Sequence, residues 1–249
     1  YCGLGMVRFS NSILPFKMSK SNGVIIIGSG SHGVVIADII LCGNKFKLLG
    51  FSERDDVFKS LPSKKRQVTK NLWFPIYADS ALFQKKCIDN KVLFVLGLGQ
   101  ELMKVRARIA VQLKENGFSF CSITHPSSII GSSATLGEGV VVMAGAVINP
   151  FVKLGNHVIV NTGATIDHDC VIDDNSFIQP GAHLAGQVCV GKNTIIGIGS
   201  AVKERIKIGN NSIIGGGAFV NRDVPDNTVY AGVPARKLRN NLLEECLWK

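Results

Sequence analysis

From Ile130 onward, every sixth residue is aliphatic, a spacing that ordinary helices and strands do not produce. The run is Ile130, Leu136, Val142, Ile148, Leu154, Val160, Ile166, Ile172, Ile178, Leu184, Val190, Ile196, Val202, Ile208, Ile214 and Val220. An amphipathic helix repeats near 3.6 residues and a half-buried strand near 2. Four residues after each aliphatic the side chain is small or β-branched, as at Ala146, Val152, Ala164, Cys170, Ser176 and Ala182. Glycine often follows it directly, as at Gly137, Gly155, Gly191 and Gly209. These features describe a triangular prism. Each hexad supplies one short strand and one corner, three hexads make a coil, and coils stack at about 4.8 Å. The aliphatic side chain points inward. So does the residue two places before the next aliphatic, because side chains alternate along a strand, and it must be small where the corner narrows. Glycine, Asn and Asp suit corners that need positive φ. So narrow an interior excludes rings, and the chain is 46% apolar but only 7% aromatic, with 27 glycines.

Before the repeat the texture changes. Val24-Ile25-Ile26-Ile27 is a continuous apolar run, as expected for a strand buried on both faces. Gly28-Ser29-Gly30-Ser31-His32-Gly33 follows, and Val34 to Leu41 predicts a helix stopped at Cys42-Gly43-Asn44. Lys47 to Ser52 and Val92 to Leu96 predict two further strands, Glu101 to Asn116 a helix, and Phe118 to Ile123 a lead into the prism. Alternating strands and helices imply an α/β Rossmann-like domain. The expected organisation is an N-terminal extension over 1–21, the Rossmann-like domain over 22–123, the prism over 124–236 and a tail over 237–249. Gly28, Gly30 and Gly33 satisfy G-x-G-x-x-G between a strand and a helix, where backbone N–H groups can face a diphosphate. Glu53 ends the second strand, where a dinucleotide enzyme would hold a ribose. A dinucleotide and a purely structural turn therefore stay open. The short domain, with no hydride-transfer partner after it, favours a nucleotide diphosphate sugar.

The net charge of +10 sits mostly in the first 75 residues, densest at Lys64, Lys65, Arg66 and Lys70. This run reads as a solvated loop or as a contact for a phosphate-bearing ligand. Nucleic acid is disfavoured, because no aromatics interleave with the basic residues. The seven cysteines are scattered, odd in number and without a C-x-x-C pair, which points to a reducing, cytoplasmic setting. No apolar stretch approaches the ~20 residues of a membrane span. Arg8, Asn11, Pro15 and Lys17 interrupt the opening segment, a poor fit to a secretion signal. Met18 offers a natural start, with residues 1–17 as an upstream extension.

The candidate for chemistry is His168. It lies two places after the inward Ile166, so it should face outward at a corner, flanked by Asp167 and Asp169. Asp169 can orient the imidazole and raise its basicity. A zinc hydratase on such a prism would need converging histidines. His157, His168 and His183 fall at different places in their hexads, so no metal is expected. A bare scaffold without catalysis is a further alternative.

Several of these segments together resemble the NeuD/PglD-type sugar acetyltransferases, from Val24 to Leu238. They are the Gly-Ser-Gly-Ser-His-Gly turn, Asn161-Thr162 with Asp167-His168-Asp169-Cys170, and Val229-Tyr230-Ala231-Gly232-Val233-Pro234-Ala235. The resemblance implies a left-handed parallel β-helix, a homotrimer with sites between adjacent prisms, and acetyl-CoA as donor. It implies His168 as general base aided by Asp169, and a nucleotide-sugar acceptor held by Gly28, Ser29, Gly30, Ser31, His32, Gly33 and Glu53. Asn161, Gly197, Gly199, Gly215, Gly216, Arg236 and Lys237 are then the expected acetyl-CoA contacts. The expected reaction is N-acetylation of a nucleotide-linked amino sugar for bacterial-type surface glycan, with O-acetylation of sialic acid or another glycan hydroxyl as the alternative. One departure is visible. Family members carry an acidic pair near the end of the second strand, where this chain reads Phe51-Ser52-Glu53-Arg54.

Overall fold

The apolar run ahead of the glycine turn forms β1 (Gly23–Ile27), whose central residues are wholly buried. The computed structural model describes residues 23–43, 45–80 and 92–241, with a short antiparallel strand pair at Arg8–Phe9 and Ser12–Ile13. Apart from that pair, the expectations for residues 1–21, for Asn44 and for the tail beyond 241 lie outside the described residues. After β1 come α1 (Ser31–Cys42), β2 (Lys47–Glu53), α2 (Asp55–Ser60), β3 (Lys65–Thr69), β4 (Leu72–Ala78) and β5 (Val92–Leu96). A 3-10 turn at Gln100–Leu102 runs into α3 (Met103–Glu115), and β6 (Ser119–Phe120) follows. The sheet order is β3-β4-β2-β1-β5-β6, parallel except for the β3–β4 hairpin. Val24 and Ile26 pack with α1 on one face, and Ile25 and Ile27 pack with Ala110 and Leu113 of α3 on the other.

Two elements differ from the sequence expectation. α1 begins at Ser31, three residues early, because Val34 N–H already donates to Gly30 O at 3.1 Å. Ser31, His32 and Gly33 therefore form its first turn. The basic run is not a loop: Lys65 and Arg66 lie in β3, which pairs with β4 through Lys65↔Pro75 and Arg66↔Phe74. Val68 and Phe74 pack against the core, and that anchorage holds the charged strand at the sheet edge.

From Ile123 to Val220 the chain winds as a left-handed parallel β-helix of two-residue strands, sorted into three sheets. Ile148, Ile166, Ile172, Ile178 and Ile196 are fully buried on its axis, and so are Ala146, Ala164, Cys170 and Ala182. Strand partners are 18 residues apart, as in Ile148↔Ile166 and Ile166↔Leu184. One sheet turns an apolar column outward at Ile123, Val141, Ile159 and Phe177, and this column packs against α1. The prism ends with Thr228–Ala231 paired antiparallel to Arg236–Asn240. The expected tail thus begins as a strand, because its backbone completes that sheet.

Arg106, only 1% exposed, joins the two parts. It donates to Leu98 O at 2.7 Å, to His157 O at 2.9 Å and to Asn175 Oδ1 at 3.1 Å. Burial, then the nearby Arg106 cation, pushes both His32 and His157 down to about 4. Both are neutral in the folded protein at pH 7, whereas an unfolded chain takes up their protons near pH 6.5. The unfolded state then binds more protons between about pH 4 and 6.5, so stability falls as pH drops through that window. The loss is on the order of 3 kcal/mol per histidine. The midpoint of thermal unfolding should fall from pH 7 to pH 5, and His157→Leu should make that fall shallower. Equal slopes for the two proteins would contradict this origin.

Candidate active site

The carboxyl ends of β1, β2 and β5 open into a crevice of about 530 Å3. Gly28, Gly30, Ser31, His32 and Glu53 line one side, Gly97 to Leu102 another, and Asn161, Phe177 and Pro180 of the prism close it. The glycines of the turn have different reasons to be glycine. Gly28 has φ +99°, and a Cβ on Gly33 would lie 2.2 Å from Gly28 O. Both are required by the turn itself. A Cβ on Gly30 would meet nothing within 4 Å. Packing therefore does not demand its glycine, and the space beside it is open.

Gly30 is also the N-cap of α1, with no side-chain cap and no acid in the first turn, so the helix N-terminus keeps its unbonded N–H groups. Ser29 turns inward: its N–H and hydroxyl donate to Glu53 Oε1 at 2.6 and 2.8 Å. Glu53 thus braces the loop through one oxygen while lining the crevice. His32 is tilted against Phe177, with ring centres 5.7 Å apart, and its buried Nε2 has no protein partner.

His168 stands on another corner. Its side chain is 53% exposed, and its Nδ1 is 2.8 Å from Asp169 Oδ2. Asp169 has φ 60°, a left-handed conformation that Asp tolerates, and the bend brings its carboxylate to the preceding imidazole. Asp167 Oδ1 accepts from His168 N and from Asn149 Nδ2, both at 2.8 Å, which fixes the backbone. The hydrogen bond to Asp169 raises the imidazole above its ordinary value of 6.5. With Nδ1–H given to Asp169, Nε2 is the ring's free base. That edge of the ring lies over Gly186, where a Cβ would come within 2.7 Å of both Cε1 and Nε2.

His168 is not among the residues that line the crevice. The crevice follows the corner after Ile159–Val160 and Phe177–Ile178, whereas His168 occupies the next corner, after Thr165–Ile166. Phe151, 61% exposed, lies one coil from Asp169 at the same corner.

Of the expected acetyl-CoA contacts, Asn161 lines the crevice. Coil geometry already explains the glycines: added Cβ atoms would strike Ile214 O from Gly197, Ala231 from Gly215 and Ile198 from Gly216, and Gly199 has φ +61°. Arg236 and Lys237 are exposed on the last strand. No group of three His, Cys, Asp or Glu able to hold a metal occurs among the described residues. Sequence reasoning missed Gly186, Arg106 and Phe177. For Phe177 a signal existed, because large apolar residues recur every 18 positions on the outer side of one sheet only.

Comparisons with known proteins agree on both parts of the chain. Residues 23–113 match the PglD N-terminal domain, and residues 133–168 and 151–186 match the bacterial transferase hexapeptide model. UDP-N-acetylbacillosamine N-acetyltransferase of Bacillus subtilis (strain 168) is 36% identical over 121 residues, 49% of this chain. The match spans about half, 51%, of that relative's length. The acetyltransferase domain of PglB from Neisseria gonorrhoeae FA1090 superposes with a TM-score of 0.77 at 29% identity, over 88% of this chain and 100% of the domain. PerB from Caulobacter crescentus, solved with CoA and GDP-perosamine, gives 0.72 at 32% identity, over 86% of this chain and 96% of its own.

The Gly186 contact makes a specific expectation. Gly186→Ala should push the His168 ring aside and lower kcat by roughly tenfold or more, while the unfolding midpoint stays within about 2 °C. Unchanged kcat would show that the ring does not need this seat.

Proposed function

The chain belongs to the NeuD/PglD-type family of sugar acetyltransferases, and on that premise we propose that it moves the acetyl group of acetyl-CoA to the amino group of a nucleotide-linked amino sugar. The observation that carries the reading is the His168–Asp169 pair at 2.8 Å with Nε2 left free. The acceptor amine attacks the thioester carbonyl as Nε2 takes its proton. The tetrahedral intermediate then collapses, the C–S bond breaks, and the imidazolium returns the proton to the leaving CoA thiolate. Asp169 steadies the imidazolium formed in between. The acceptor's diphosphate lies at the N-terminus of α1 above Gly30, with its sugar directed out of the crevice. The CoA arm follows the corner of Asn161, Gly197, Gly199, Gly215 and Gly216, and its phosphates meet Arg236 and Lys237.

That His168 lies on a different corner from the crevice supports a homotrimer as the working unit, with one chain presenting the acceptor to the histidine of the next. The exposed Phe151 beside Asp169 supports a neighbour there. The setting is cytoplasmic synthesis of a bacterial-type surface glycan. Thiol release from acetyl-CoA, measured against a panel of UDP- and GDP-linked amino sugars and hydroxyl analogues, tests the reading. Turnover with an amino sugar is expected, and turnover with hydroxyl acceptors alone would overturn it.

His168→Ala should lower kcat by about 10²–10⁴-fold with the fold intact, whereas His183→Ala should be near normal. His183 bonds Thr165 Oγ1 on the outer surface of a different strand. Because Asp169 raises the imidazole, activity should climb with pH and reach its half-maximum above 6.5. Inactive His183→Ala beside normal His168→Ala would move the base.

A further inference from the structure

Arg106 is a buried cation with no carboxylate in contact with it among the described residues, and Glu101 of the crevice wall acts on its charge only through space. Its three hydrogen bonds go to the neutral acceptors Leu98 O, His157 O and Asn175 Oδ1. No carboxylate pairs with it among the described residues. A buried charge without a contacting counter-ion is costly, and Glu101 offsets that cost only in part, so a further anion nearby would be favoured. What surrounds it is the crevice wall. Leu98 is a wall residue, the guanidinium lies 5.9 Å from the Phe177 ring, and its field reaches His32 and feels Glu101, both also in the wall. Glu53 and Glu101 by themselves would make the crevice repel an anion.

We infer that Arg106 is a positioning residue that sets the crevice's affinity for the acceptor's diphosphate from behind the wall, without touching it. The inference rests on the acceptor site proposed above. The positive end of α1 supplies N–H groups for direct contact. Arg106 supplies the full charge, in a low-dielectric setting where a cation acts over several ångströms with little screening. The same hydrogen bonds hold the Gly97–Gly99 loop against the prism, through Leu98 on one side and His157 and Asn175 on the other. The charge and the tether are thus separable functions of one side chain.

Two substitutions separate them. Arg106→Gln keeps donors for the carbonyls but removes the charge. Arg106→Lys keeps the charge but loses the fork that serves three acceptors. The full chain is titrated calorimetrically with UDP, GDP and inorganic pyrophosphate, and separately with CoA. For Arg106→Gln, Kd for the diphosphates should rise tenfold or more and its salt dependence should flatten. CoA affinity should stay within about threefold, and the His32 imidazole, followed by NMR, should titrate above about 4. Arg106→Lys should keep diphosphate affinity within about threefold, and it decides alone if the Gln variant does not fold. Unchanged diphosphate binding in Arg106→Gln, or a tenfold loss in a folded Arg106→Lys, would overturn the inference. If the unaltered protein binds neither UDP nor GDP, the acceptor-site reading itself fails, a result distinct from either.

Discussion

The structure depends on one constraint, the inward aliphatic side chain at every sixth residue. It sets the coil at 18 residues, and the coil fixes which residues stack. Ile148 lies on Ile166 and Ile166 on Leu184, each buried on the axis. Deleting one residue would turn every later side chain to the wrong side of its strand, so the register is held along the whole prism. Chemistry is placed by this clockwork. Asp169 falls where the corner requires positive φ, and the bend that turns the prism also delivers its carboxylate to His168. In the proposed mechanism a corner residue acts as the catalytic support, in a conformation that the fold already requires.

The same register gives the prism one sticky sheet. Ile159 and Phe177 face outward there and bury against α1, so the N-terminal domain docks in a single orientation. Docking turns the open ends of β1, β2 and β5 into a walled crevice, because the prism contributes Asn161, Phe177 and Pro180. Arg106 locks this joint by bonding both parts. The crevice is therefore a product of packing between two folds, and neither fold alone would make it.

Much of this was legible in the sequence, for physical reasons. A period of six is unlike any competing pattern, so the prism and its inward residues could be read directly. The glycine turn was legible because strand, turn and helix follow within twenty residues. What escaped depends on distant contacts. Arg106 sits in Met-Lys-Val-Arg-Ala-Arg, which reads as a charged helix surface, and its burial arises from Asn175, 69 residues away. Gly186 looks like any corner glycine, and only the ring of His168 from the preceding coil gives it a purpose. The β3–β4 hairpin was hidden because its basic side chains resemble a loop, while Val68 and Phe74 carry the packing. Of the glycines expected to admit CoA, Gly197, Gly215 and Gly216 are needed by the coils themselves, so glycine content there does not distinguish a ligand from a corner.

The central claim is that one working site is assembled from the crevice of one chain and the His168 of another. Complementation tests it most directly. Gly30→Trp fills the crevice and His168→Ala removes the base, so each homo-oligomer should be nearly inactive. Unfolded together, mixed in equal amounts and refolded, the two should regain about a quarter of the unaltered activity, because random assembly pairs an intact crevice with an intact histidine at about one junction in four. Recovery to that level is the predicted result. Mixed oligomers that form but stay as inactive as their parents would show that each chain carries its whole site, and would contradict the account.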